Sequence, residues 1–119
     1  MSFEVDLIED YFKAFNAHDL EGVVAFFADD AVITAGDGSR HEGTAEVRNA
    51  FAWYFDTFSN AHCELKRACG SDGTGAAESV FTGTRRDTKR QVRTAGAELL
   101  SLRGDKICEL REYQIDAAE

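Results

Sequence analysis

Residues 91–116, QVRTAGAELLSLRGDKICELREYQID, decide the class of fold. Strand-like runs at about Gln91–Leu102 and Lys106–Asp116 flank Arg103-Gly104-Asp105, a plausible hairpin turn. Working backwards, similar runs cover about Ala61–Cys69 and Ala76–Thr84. Gly70-Ser71-Asp72-Gly73 separates those two, and Arg85-Arg86-Asp87-Thr88-Lys89-Arg90 forms a basic loop before Gln91. The second half of the chain therefore reads as a long antiparallel meander.

The first half reads as helix. Phe3, Leu7, Ile8, Tyr11, Phe12 and Phe15 follow helical spacing, and Asn16-Ala17-His18 ends that element. Asp19 is a good N-cap for a shorter helix through Val23, Val24, Phe26 and Phe27. Ala31–Ala35 reads as a short strand, followed by the turn Gly36-Asp37-Gly38-Ser39. Thr44 can cap a third helix carrying Val47, Phe51, Tyr54, Phe55 and Phe58 on one face. Helices first and a meander afterwards predict an α+β fold with the helices on one face of the sheet. A strongly bent sheet leaves room for a pocket between the layers.

With 119 residues, 44% of them apolar, the chain predicts one folded domain over residues 1–119. No linker, repeat, Pro or low-complexity stretch interrupts it. A net charge of −9 repels nucleic-acid phosphate and anionic membranes unless basic residues gather on one face. The one basic cluster, Arg85–Arg90 with Arg93, reads as a solvated turn, or more sharply as a site for an anionic group or acidic patch. No apolar run approaches the roughly 18 residues that span a bilayer, and the chain starts with acidic rather than basic residues, so a cytoplasmic location is expected. Cys63, Cys69 and Cys108 match no metal or redox spacing and read as reduced, mostly buried side chains. Neither a metal nor a cofactor is expected.

Several words of the sequence are similar to those of SnoaL-like and ketosteroid isomerase-like proteins, the nuclear transport factor 2-like superfamily. They run from Tyr11 to Val24, continue through Phe27-Ala28-Asp29-Asp30-Ala31 and Glu42–Arg48, and end in Gly104–Tyr113. The resemblance spans about Leu7 to Asp116. It implies three N-terminal helices packed on a strongly curved antiparallel sheet that forms a cone with an internal pocket. Superfamily members include isomerases, cyclases, dehydratases, epoxide hydrolases and non-catalytic domains, so the resemblance speaks to fold more than to activity.

Ketosteroid isomerases pair a tyrosine with a protonated acid as an oxyanion hole, and an aspartate moves the proton. The resemblance puts Tyr11 on the tyrosine position and Glu98 on that of the protonated acid. Alternation places Glu98 in line with Gly96, Leu100 and Leu102, so the residue is protonated, paired or lining a wet pocket if that face is inward. A core tyrosine and an outward or salt-bridged glutamate are the plainer readings. The base position holds Ala35, with Asp37 two residues on in a turn. Glu78, whose strand neighbours by alternation are Val80 and Thr82, is one replacement base; His41, in the loop entering helix three, is another. A solvent-side strand glutamate, a turn aspartate and a loop histidine are their plainer readings. Phe15, Phe27, Ile33, Phe51, Trp53, Phe55, Leu100, Leu110 and Glu112 are the candidate substrate-binding walls. Periodicity does not decide whether Leu110 and Glu112 or Arg111 and Tyr113 face inward; the resemblance favours the first pair.

Two functional classes follow. The first is a cofactor-independent isomerase, cyclase or dehydratase that stabilises the enolate of a hydrophobic carbonyl compound. The second is a non-catalytic ligand-binding or dimerisation domain of the same fold. In either case the expected partners are a hydrophobic small molecule and a second copy of the chain, docked through the sheet face.

Overall fold

A computed structural model describes residues 2–116. In chain order its elements are α1 (Phe3–Asn16), α2 (Leu20–Val24), β1 (Phe27–Thr34), β2 (Arg40–Glu42), α3 (Thr44–Thr57), β3 (His62–Ser71), β4 (Thr74–Thr84), β5 (Gln91–Arg103) and β6 (Lys106–Asp116). The fold is α+β, as expected, but the helices do not form one block: β1 and β2 lie between α2 and α3.

Local chemistry sets the helix ends. Ser2 Oγ accepts the Val5 N–H at 3.1 Å, and Glu4 and Asp6 sit in the first turn of α1 against the positive end of the helix dipole. Glu4 also accepts the Gly73 N–H at 3.0 Å, which ties the start of α1 to the β3–β4 turn. Asp19 caps α2 through the Gly22 N–H, as its position in the sequence predicts. The second helix stops at Val24, however, and Phe27 opens β1 instead. The cause is tertiary. The Ile107 N–H of β6 donates to Phe26 O at 2.8 Å, and Phe27 pairs with Ile107, so the distant strand extends this backbone. Before α3 the N-cap is Gly43, without a side-chain bond, rather than Thr44.

The six strands form one sheet in the order β2-β1-β6-β5-β4-β3. Strands β3 to β6 are the expected antiparallel meander. The β1–β6 pair is parallel, which makes the sheet mixed rather than antiparallel throughout. Helix α1 packs on β3 and β4, and α3 packs on β1 and β2. The core lies between, centred on Ile8, Val23, Val47, Leu100, Ile107 and Leu110, all fully buried. Each such side chain contributes about 1.5–3 kcal/mol relative to exposure.

The other sheet face carries Glu78, Leu99, Arg111, Tyr113 and Ile115, all exposed. A register shift between Leu65 and Arg67 reverses the alternation of β3. It turns Cys69 outward, so this thiol is exposed and not buried, while Cys63 and Cys108 are half-buried. Among the described residues no helix is long and apolar enough to cross a membrane.

Candidate active site

A cavity of about 290 Å³ opens between α1, α3 and the inner face of β3 to β6. Its walls are largely aromatic, with Phe12, Phe15, Phe51, Trp53, Tyr54 and Phe81 among them. Among the polar side chains that line it are Tyr11 from α1, Ser79 from β4, Glu98 from β5 and Glu112 from β6.

Tyr11 sits one turn beyond Ile8 on the apolar face of α1, so the helix that builds the core also aims this phenol. Its ring meets those of Phe12, Phe26, Phe27 and Phe51 edge-on at 5.6–6.1 Å. Such pairing fixes the ring. Burial, reinforced by Glu112 and then Glu98, pushes the phenol well above its ordinary range. Tyr11 is therefore a neutral donor, and its hydroxyl has no hydrogen-bond partner among the described residues.

Glu98 is 9% exposed. The Ser79 hydroxyl donates to its Oε2 at 2.7 Å, and Oε1 is buried without a partner among the described residues. Burial raises its carboxyl, and the Ser79 hydrogen bond opposes that rise in part. Glu112 lies directly across the ladder from Glu98. Burial, then Glu98, then Asp37 push its carboxyl up to about 7. Cys63 is pushed up to about 12, mainly by burial, and stays a neutral thiol in the wall.

A second chamber of about 410 Å³ adjoins the first and shares Phe51, Trp53, Tyr54, Glu112 and Gln114 with it. Ala35, at the expected base position, lines this second chamber, as do Asp37, Ser39, His41 and Ile33. Ser39 Oγ donates to Asp37 Oδ1 at 2.7 Å and lies 3.2 Å from His41 Nε2. Ser39 holds the Asp37 carboxylate below its ordinary range, so Asp37 is an ionised turn residue. Gly36 admits the Gln114 side chain, which a Cβ at residue 36 would strike.

The remaining candidates divide. Phe15, Phe51 and Trp53 line the main cavity, while Phe27, Leu100 and Leu110 belong to the solid core beside it. Phe55 stacks on His18 with ring centroids 4.9 Å apart and lines neither chamber. Glu78 is on the wrong face. Alternation along β4 buries Ala77 and Ser79, and the Glu78 carboxylate points outward to Arg67 at 2.5 Å. The inward residues of β6 are Leu110 and Glu112, whereas Arg111 and Tyr113 are exposed.

Sequence reasoning passed over Ser79 and placed Glu112 only among the binding walls. Ser79 shares alternation with Ala77 and Phe81, a small polar residue in an otherwise apolar row, and that was its one available signal.

The SnoaL-like domain model matches residues 8–110, most of the chain. The chain belongs to the SnoaL-like domain family. Among solved structures, this SnoaL-like chain resembles a candidate polyketide cyclase from Xanthomonas campestris pv. campestris at 22% identity and TM-score 0.79, covering 91% of this chain and 87% of that one. A Burkholderia pseudomallei NTF2-like protein of unknown function is 17% identical, with TM-score 0.84 and coverage of 95% and 91%. A Catenulispora acidiphila protein with a ketosteroid isomerase-like fold is 18% identical, with TM-score 0.83 and coverage of 91% and 84%. At these identities the likenesses establish a shared fold, and the chemistry has to be argued from the cavity.

Proposed function

We propose that this SnoaL-like protein is an enzyme that stabilises the enolate of a hydrophobic carbonyl compound, giving isomerase, cyclase or dehydratase chemistry. The observation that carries the reading is Glu112, a carboxyl pushed up to about 7, in one cavity with the neutral donor Tyr11 and the buried carboxyl of Glu98. It supplies the base that Ala35 cannot, from the neighbouring strand: Thr34 pairs with Arg111, and Ala35 and Glu112 line the same chamber.

The chemistry follows from these groups. Glu112 as carboxylate takes a proton from the carbon next to the carbonyl; the C–H bond breaks and its electron pair moves to the carbonyl oxygen. Tyr11, and Glu98 when it carries the proton, donate hydrogen bonds to that developing oxyanion. Glu112 then returns the proton to a second carbon or to the oxygen. The largely aromatic walls keep the surroundings of both hydrogen bonds apolar, which strengthens them. The cone-shaped pocket expected of the superfamily fits this use, as does a cavity close to the roughly 300 Å³ at which small-molecule sites begin.

Calorimetric titration with 2-naphthol, a planar enolate mimic, tests the reading. The parent protein is expected to bind it, and Tyr11→Phe and Glu98→Gln should each weaken binding by about 1–3 kcal/mol. Binding indifferent to both substitutions overturns the assignment and leaves the ligand-binding alternative.

A further inference from the structure

Glu98 and Glu112 are directly opposed partners in the β5–β6 ladder, and both line the cavity. Directly opposed residues of an antiparallel pair have Cβ atoms about 4.5–5.5 Å apart on one face. A β-bulge produces this meeting. Next to the turn, Arg103 pairs with Lys106 and Leu102 with Ile107, a register that would carry Glu98 to Arg111. The register instead shifts between Leu102 and Ser101, leaving Cys108 unpaired, and Glu98 meets Glu112. Arg111 turns outward, 3.5 Å from Glu109.

Among the described residues lining the two chambers the basic side chains are His41, which lies 3.2 Å from the Ser39 hydroxyl, and Arg85. Tyr11 from α1, Tyr54 from α3 and Cys63 from β3 are neutral there, each raised chiefly by burial. Asp37, in the β1–β2 loop, adds negative charge. Arg85, at the rim, is engaged by Asp87 and lies over the Phe58 ring. Ser79 satisfies one oxygen of Glu98 and leaves Oε1 buried without a donor. Two facing carboxylates in such surroundings repel one another, and one proton between them removes the repulsion and gives the orphaned oxygen a partner.

We propose that Glu98 and Glu112 share a single proton as an acid–carboxylate pair, which makes the cavity selective for neutral ligands over anionic ones. The shared proton stands on the ladder geometry; only its use in turnover rests on the enolate reading. In that use the pair is donor and acceptor at once. The ionised member takes the carbon-bound proton, the protonated member donates to the oxyanion, and return of the proton restores the starting pair with no net exchange with solvent. The substrate class is thereby narrowed to uncharged carbonyl compounds.

Carbon-13 NMR of protein labelled at glutamate Cδ tests the pair, titrated from about pH 3 to about pH 10, with Glu98→Gln and Glu112→Gln for assignment. Both resonances are expected to move at both of two separated steps. Glu98→Gln should lower the upper step by about one pH unit or more. Two signals that titrate in one step each, in the parent protein itself, overturn the proposal whether or not the variants fold. For selectivity, 2-naphthoate at neutral pH should bind at least about tenfold more weakly than 2-naphthol. Equal or tighter binding of the naphthoate overturns the selectivity. Failure of 2-naphthol to bind counts against the enolate reading, while the titration still decides whether the pair shares a proton.

Discussion

Two neighbouring inward rungs of the β5–β6 ladder, Leu100–Leu110 and Glu98–Glu112, share strands, register and face. The first is 2% and 0% exposed and joins Ile8 and Ile107 in the core. The second has the same backbone and nearly the same burial at Glu98, but it places two carboxyls against aromatic walls. One rung removes apolar surface from water, and the other removes charge from it. The contrast teaches that the acid rung occupies a core position, so two carboxyls are held there at the expense of stability.

The largest effect should come from breaking the apolar rung. Leu110→Ala leaves a cavity at a fully buried position and should cost about 2–5 kcal/mol, read from denaturant unfolding. A loss below about 1 kcal/mol would mean that the core closes over this point and that the two rungs are not so different.

Converting the acid rung should act in the opposite direction. The Glu112 carboxyl rises from an ordinary 4.5 in the unfolded chain to about 7 in the fold. A raised acid gives stability that is complete below about pH 4.5 and is lost as pH rises through about 7. Glu112→Gln should therefore stabilise the protein on the order of 3 kcal/mol at pH 8 or so and change little at about pH 4. Equal effects at both pH values would show that Glu112 ionises freely.

The smallest effect belongs to the outer face. Glu78→Gln breaks an exposed ion pair with Arg67 and should change stability by less than about 1 kcal/mol. It should leave 2-naphthol affinity unchanged, because Glu78 is outside the cavity. A weakened affinity would bring Glu78 back as a candidate base.

Much of the fold was legible because it rests on local rules. Spacing along α1 set Phe3, Leu7, Ile8, Tyr11, Phe12 and Phe15 on one face, of which all but the exposed Phe3 are buried, and Asp19 announced its helix. The three hairpin connections between β3 and β6 lie where turn residues interrupt the strand-like runs. The missed element boundary, at Phe27, depends on pairing with Ile107, eighty residues away in the chain. Cys69 was misread for a comparable reason. A single extra residue in β3, at Lys66, reverses which side chains face the core.

Tyr11 and Glu98 were visible because a phenol on an apolar helix face and an acid in line with leucines both break the expected pattern. Glu78 was misplaced because β4 contains small and apolar residues on both parities, so alternation alone could not choose its face. The pairing of Glu98 with Glu112 lay further out of reach. The turn at Gly104-Asp105 starts the hairpin in a register that sets Glu98 against Arg111, and the bulge at Cys108 moves it by one residue.

By itself, then, the sequence determined the buried face of the first helix, the meander, the Asp19 cap and the two polar residues that sit among apolar ones. Each depends on neighbours a few positions apart in the chain, where propensity and periodicity act directly. The tertiary structure decided which strand faces point inward, the parallel seating of β1 beside β6, and the acid that stands opposite Glu98. These are set by long-range backbone pairing, in which a shift of one residue exchanges an ion pair for two carboxyls with a single proton's worth of room for charge.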